Sequence, residues 1–262
     1  MNKVDSLMAQ LAPNGGKKSQ LLAVASGKGG VGKTWLSITL AHALARQNKK
    51  ILLFDGDLGL ANVDVQLGLA PAVDLGGVLA GTYDLKAATS RYEDGGFDVI
   101  AGRSGSGSLA ALPTDRLRAL GSQLTSLSQD YDSVLLDLGA GIDRTVRQLA
   151  SLASPILVVC TDEPTSLTDA YAFIKLTVAQ NRNADLRVVI NMAGSKSEAE
   201  RTYTTLRKAC ENFLKITPPL AGLVRRDSHV KQAIRAQSPL LQRFPNCDAA
   251  QDIEALAKSL LS

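Results

Sequence analysis

The chain is poor in cysteine. Its 262 residues include only Cys160, Cys210 and Cys247, widely separated, and no Cys-x-x-Cys pair. That excludes the paired-cysteine zinc sites and iron–sulfur clusters, and an odd, sparse set suits a reducing compartment. No apolar run reaches the ~18 residues a spanning helix needs. The N-terminus lacks the charged-then-apolar pattern of a signal peptide, so a cytoplasmic location is expected. There is little excess of either charge: the formal net charge is +4, with Lys and Arg spread along the whole chain, which reads as a solvated surface. Aromatic residues make up 4% and hydrophobic residues 45%. One large core is affordable at this length, and a single domain of ~250 residues is ordinary for α/β folds.

What the chain does have is glycine in one decisive place. Gly27-Lys28-Gly29-Gly30-Val31-Gly32-Lys33-Thr34 fits the phosphate-loop pattern G-x-x-x-x-G-K-[ST] at every fixed position. A triphosphate concentrates negative charge, and wrapping it in backbone N–H groups demands a chain that turns tightly and comes close, which glycine permits. Lys33 is expected on the β/γ-phosphates and the Thr34 hydroxyl on Mg²⁺. The flanks fit the motif. Leu21–Ala25 is a short apolar run of buried-strand type, and Leu36, Leu40, Ala43 and Leu44 follow at helical spacing. The helix N-terminus then points its positive dipole end at the phosphates.

From Leu21 onward strands and helices alternate. Strands are expected at Leu21–Ala25, Lys50–Phe54, Phe97–Ala101, Ser133–Leu136, Ile156–Cys160, Leu186–Ile190 and Pro219–Val224. Helices are expected at Thr34–Gln47, Leu75–Ala80, Leu109–Gln129, Arg144–Ala150, Thr168–Asn181, Ser195–Phe213, Val230–Ala236 and Ala249–Leu261. The alternation predicts an α/β fold: a three-layer α/β/α P-loop NTPase with a mostly parallel, twisted sheet and right-handed crossovers. Two regions are expected. Residues 1–19 form an appendage whose Val4, Leu7, Met8 and Leu11 suit one short amphipathic helix, ended by Pro13-Asn14-Gly15-Gly16. Residues 20–262 form the nucleotide-binding domain. Gly102–Gly107 reads as a flexible loop.

Several polar residues follow strands, where open α/β sheets hold ligands. Asp55 and Asp57, spaced i, i+2, project to one side of an extended chain. One can bind Mg²⁺-bound water and the other position or deprotonate the attacking water. Ser133–Leu136 closes on Asp137, the pattern of a carboxylate that holds Mg²⁺ through water. Asn191 ends another strand, and its amide can donate and accept at an adenine edge simultaneously. Asp227 closes the last strand region and is a second candidate beside the base.

Taken together these residues resemble the MinD/ParA family of deviant Walker A ATPases, over nearly the whole chain from about residue 20. The phosphate loop carries the resemblance first, through its extra Lys28. Asp55-Gly56-Asp57 through Asp64 is similar to the family's switch I, and Asp137-Leu138-Gly139-Ala140-Gly141 to its Walker B and switch II. The stretch Asp162–Tyr171 resembles the flagellar-number regulators, the FleN/FlhG branch. The resemblance implies that Lys28 reaches across an ATP-bound homodimer to the partner's phosphates. It further implies that Gly27 through Trp35 line the nucleotide, that Thr34, Asp57 and Asp137 serve Mg²⁺, that Asp57 positions the hydrolytic water, and that Asn191 recognises adenine. The implied function is a slow, partner-stimulated ATPase switch that regulates flagellar number or placement through a flagellar regulator or assembly protein.

Three residues depart from the family pattern. Trp35 replaces a small residue beside the α-phosphate, Leu138 replaces a threonine, and Gly56 is expected to loosen switch I. Other outputs remain open: a ParA-like positioning ATPase holding DNA nonspecifically, or peripheral attachment at the inner membrane. Ile253, Leu256, Ala257, Leu260 and Leu261 line one face of the last helix, for which core packing is the better reading than membrane binding.

Overall fold

A computed structural model describes residues 20–102 and 113–261. The expected N-terminal helix, nearly all of the Gly102–Gly107 loop and the first residues of the helix expected at Leu109 lie outside that range.

Eight strands form one sheet: β1 (Gln20–Ser26), β2 (Ile51–Gly56), β3 (Ser90–Tyr92), β4 (Phe97–Ile100), β5 (Ser133–Ala140), β6 (Ile156–Cys160), β7 (Leu186–Ala193) and β8 (Leu220–Arg225). Their order is β3-β4-β2-β5-β1-β6-β7-β8. All pairs are parallel except β3 with β4. The helices among the described residues are α1 (Lys33–Ala45), α2 (Val63–Leu67), α3 (Leu75–Leu79), α4 (Thr114–Leu127), α5 (Arg144–Ala150), α6 (Pro164–Gln180), α7 (Lys196–Leu214), α8 (Ser228–Arg235), α9 (Leu240–Arg243) and α10 (Asp248–Leu261).

The near-continuous apolar strands are explained by burial on both faces. Along β1, Leu21, Ala23 and Ala25 join one core with residues of α3, α4, α5, α6 and α7. Leu22 and Val24 join the other, with α1, α2, α8, α9 and α10. Period-two alternation thus feeds two helical layers, and the expected three-layer architecture is present.

The chain departs from expectation where apolar patterning is weak. β3 is a three-residue polar edge strand, joined to β4 by a 3₁₀ turn and Gly96 at φ +67°. Helix α2 has five residues, too short to show a helical stripe. Helix α6 starts at Pro164, four residues before the expected Thr168; proline suits a helix's first position because its missing N–H has no intrahelical partner to lose.

The last helix settles its own question. Ile253, Leu256 and Ala257 of α10 are buried in the core with α1, while Leu261 is exposed. Asp252, also on the inner side, takes a bidentate hydrogen bond from Arg225 at 2.8 and 2.9 Å. Most of that apolar face is thus spent inside the protein. No helix among the described residues is long and apolar enough to cross a membrane.

Candidate nucleotide site

The phosphate loop leaves the end of β1 in mid-sheet, with the end of β5 beside it and that of β2 one strand further out. Register places Asp55 opposite Asp137 and Gly56 opposite Leu138. Gly30 and Gly32 hold φ of +79° and +82°, a region side chains enter at a cost of ~1–2 kcal/mol. A Cβ built at Gly27 would lie 2.1 Å from the carbonyl oxygen of Asp169, so the loop's first turn presses on the backbone of α6. Gly32 precedes α1, and Leu36 N–H is the first to bond back, to Gly32 O at 3.0 Å. The N–H groups of Lys33, Thr34 and Trp35 thus have no intrahelical acceptor and are free for an anion.

Lys33 is only 8% exposed. Burial lowers its pKa, and the charges of Asp137 and Asp57 pull it back up. Asp137 is 1% exposed. Its carboxyl is pushed up to about 6 by burial, against the opposing effects of the Thr34 hydroxyl, the Lys33 ammonium and the Ser37 hydroxyl. Ser37 Oγ donates to Asp137 Oδ1 at 2.8 Å. Asp57 sits at the open side, its Oδ1 accepting from Leu60 N–H at 3.0 Å and its carboxylate against Gly139. The structure thus brings Lys33, Thr34, Asp57 and Asp137 to one place. That donor set fits Mg²⁺, a hard cation that prefers carboxylate, hydroxyl and water oxygens.

Asp55 turns out to be structural as well as acidic. Its two oxygens accept backbone N–H groups of Asp57, Asn62 and Val63 at 3.1–3.2 Å, which fixes the start of the segment after β2. Burial, then the neighbouring Asp137 charge, raises its pKa to about 7. Gly56 does not loosen this segment: it ends β2 in the sheet, and a Cβ there would meet Leu138 Cδ2 at 3.0 Å. Two departures from the family pattern are therefore one packing solution, with the larger Leu138 filling the space over Gly56.

Lys28 lies at the rim, its side chain 34% exposed. Its ammonium donates to Glu163 Oε2 at 2.5 Å and Thr165 Oγ1 at 2.7 Å, both at the head of α6. Sequence reasoning missed these two partners, although they fall in the stretch Asp162–Tyr171 that resembles the flagellar-number regulators.

Asn191 is buried at the end of β7, and its Nδ2 donates to Val31 O at 2.7 Å. A Cβ at Gly32 would meet that nitrogen at 2.6 Å. The amide therefore braces the phosphate loop, leaving its oxygen side for a base. Trp35 places its indole away from the loop, lining a cavity of about 20 Å³ with Ile38, His42 and Leu240. Any phosphate contact at this position is through its backbone N–H. Asp227 is not drawn into the cluster. It precedes α8 and accepts from His229 N–H at 2.9 Å and from Ala249 N–H at 3.3 Å, so one carboxylate serves the starts of two helices. Burial opposes its ionisation, but the His229, Ala249 and Cys247 hydrogen bonds outweigh that and hold its pKa near 2.

A glycine turn between a central parallel strand and a helix, with a buried lysine among carboxylates, defines a P-loop nucleoside-triphosphate-binding protein. Residues 22–240 match the CobQ/CobB/MinD/ParA nucleotide binding domain model, and the chain belongs to that family. It is 36% identical over 241 residues to the antiactivator FleN of Pseudomonas aeruginosa, covering 92% of this chain and 86% of that protein. It is 31% identical to the flagellum site-determining protein YlxH of Helicobacter pylori, covering 93% and 82%. The septum site-determining protein MinD of Pyrococcus horikoshii, solved as a complex with Mg-ADP, superposes with a TM-score of 0.74 at 24% identity, covering 92% of this chain and 95% of that one. The MinD/ParA proteins are ATPases.

Proposed function

We propose that this chain is an ATP-driven dimerisation switch that regulates flagellar number or placement by binding protein partners. One observation carries the reading: a single loop holds two lysines in opposite situations. Lys33 is buried among Thr34, Asp57 and Asp137, whereas Lys28 stands at the rim within reach of a second molecule. An inner lysine serves the protomer's own nucleotide. An outer one exchanges its bonds to Glu163 and Thr165 for the phosphates of a partner copy. Association then depends on the γ-phosphate, because a ligand shifts an equilibrium only by its differential affinity for the two states.

In this reading the Lys33, Thr34 and Trp35 N–H groups and the Lys33 ammonium bind the phosphates of ATP. Thr34, Asp137 and Asp57 would hold Mg²⁺. Bound Mg²⁺ neutralises charge on the phosphate oxygens. Asp57 orients the attacking water, and the Lys28 charge delivered from the partner stabilises the transferring phosphoryl group. Asn191 offers its remaining amide capacity to adenine, with Asp227 fixing the backbone on the base side. The flagellar output is supported by FleN and YlxH, named as an antiactivator and a flagellum site-determining protein.

The test is a pull-down with the Asp57→Ala chain loaded with Mg·ATP, offered a flagellar transcription regulator, duplex DNA and anionic vesicles in parallel. The expected result is ATP-dependent retention of the regulator. Retention of DNA alone, lost steeply with salt through counterion release, would overturn the protein-partner reading in favour of a positioning ATPase.

A further inference from the structure

We infer that Asp227, His229 and Cys247 form a binding site for one Zn²⁺-class divalent ion, separate from the Mg²⁺ position at the phosphate loop. The three residues come from two segments: Asp227 and His229 at the start of α8, and Cys247 directly before α10. One ligand atom from each, a carboxylate oxygen, an imidazole nitrogen and the thiol sulfur, lies within 4.8 Å of the other two. Bonds of about 2.0–2.3 Å set tetrahedron edges of about 3.3–3.8 Å, so side-chain shifts of about 1 Å bring the three atoms to ligating distance.

The surroundings favour an ion over a chance meeting of side chains. Asp227 is 9% exposed, and its Oδ1 lies 2.8 Å from His229 Nδ1. The His229 ring packs on Phe244, centroids 4.4 Å apart, which limits its rotation. The carboxylate is held by the N–H groups of His229 and Ala249, so it is pre-oriented by backbone, as metal-ligating carboxylates are by their outer hydrogen bonds. Two proton-bearing side chains converge on one anion, the arrangement a metal site adopts when protons stand in for the cation.

The donor set selects the ion. One thiolate, one imidazole and one carboxylate suit borderline Zn²⁺, and the sulfur argues against Mg²⁺ or Ca²⁺. Three protein ligands leave a fourth position for water. Binding balances as follows: the Cys247 thiol loses its proton to solvent, the His229 proton facing Asp227 moves to Nε2 so that the neutral imidazole binds through Nδ1, and no electron moves. The ion would tie the start of α8 to the start of α10, which the Asp227 carboxylate already bridges. Sequence reasoning missed the site because no pair of cysteines announces it; His229 and Cys247 are brought together by the turn through α9.

The test uses the untagged full chain without nucleotide, titrated with Co²⁺ as a coloured probe. One equivalent is expected to produce thiolate-to-cobalt charge-transfer absorption, which Zn²⁺ abolishes by displacement and which Cys247→Ser lacks. His229→Gln is expected to weaken Co²⁺ binding at least tenfold. Absence of the band in the wild-type chain, or its persistence in Cys247→Ser, would overturn the inference. A readout without substitution covers misfolding of either variant. Cys160 and Cys210 are buried and Cys247 is partly exposed. Alkylation mapped by mass spectrometry should therefore show Cys247 protected by Zn²⁺ and restored by a chelator, and an unprotected Cys247 also sinks the site.

Discussion

Removing Lys28 separates its role in the fold from the role proposed for it between copies. In the single chain its ammonium pairs with Glu163, whose side chain is 62% exposed against 34% for Lys28. An ion pair this wet contributes ~0.2–1 kcal/mol, screened further by salt. For a domain of this size, each kcal/mol moves the melting temperature by ~2–4 °C, so Lys28→Ala should lower it by less than about 4 °C. The dimer should respond on another scale. Losing a desolvated charge contact to phosphate at an interface costs ~2–5 kcal/mol. A two-fold dimer contains the contact twice, so ~4 kcal/mol is the lower bound, and the dimer dissociation constant rises at least ~10³-fold. The assay is sedimentation velocity with Mg·ATP, in the Asp57→Ala background so that nucleotide is not consumed, alongside calorimetric melting of the Lys28→Ala chain. A dimer weakened less than about tenfold would refute the argument, because that falls below even one lost contact.

Other substitutions probe the rest of the site. Gly32→Ala must place a side chain at φ +82° and drive a Cβ into Asn191 Nδ2; strain of ~1–2 kcal/mol plus ~1–3 kcal/mol for breaking the Asn191–Val31 bond should lower the melting temperature by at least about 4 °C, and an unchanged melt would remove Asn191 as the loop's brace. Asp57→Ala should bind Mg·ATP with little loss, hydrolyse it at least ~10²-fold more slowly and accumulate dimer; normal turnover would move the catalytic role elsewhere. The raised carboxyls of Asp55 and Asp137, at about 7 and about 6, mean that the fold favours their acid forms more than the unfolded chain does. Their stabilising contribution is complete below the ordinary Asp range and lost as pH rises through about 6 and then 7. Without Mg²⁺ the melting temperature should therefore fall toward about pH 8 from this source, and Asp55→Asn should reduce the fall; an identical pH profile in the variant refutes the assignment. His42, lowered from 6.5 to about 4 by burial and then by Arg46, acts in the opposite sense between those values, so only the fall above about pH 6.5 reports the carboxyls alone.

The parts of the fold legible in the sequence were those with strong local physics. β1, β2 and β5 through β7 are apolar runs because both their faces are buried, and their expected ends, with those of the half-buried β8, lie within four residues of those observed. Gly27 through Thr34 was legible because few sequences other than a phosphate loop require that glycine spacing. Lys28's partners were not, since Glu163 and Thr165 are 135 and 137 residues away and meet it only through the placement of β6 beside β1. Trp35 and Leu138 could be flagged as departures but not resolved, because what each side chain fills is a property of packing. Asp227 was legible only as a residue following a strand; that its carboxylate accepts N–H groups at two helix starts depends on packing.

The segment at the head of α6 links these observations. Glu163 and Thr165 hold Lys28, and the backbone of Asp169 lies so close to Gly27 that no side chain fits between them. One helix end thus restrains the phosphate loop at two points, one rigid and one exchangeable. The rigid contact fixes where the first glycine sits in the single chain. The exchangeable one gives the outer lysine a home in the single chain, which spares it an unpaired charge and lowers the driving force for association by no more than the ~1 kcal/mol of a wet ion pair. A stronger hold would oppose the nucleotide-dependent dimer; a weaker one would leave the lysine's position to chance. The solvent exposure of Glu163 therefore matters as much to the proposed switch as its charge.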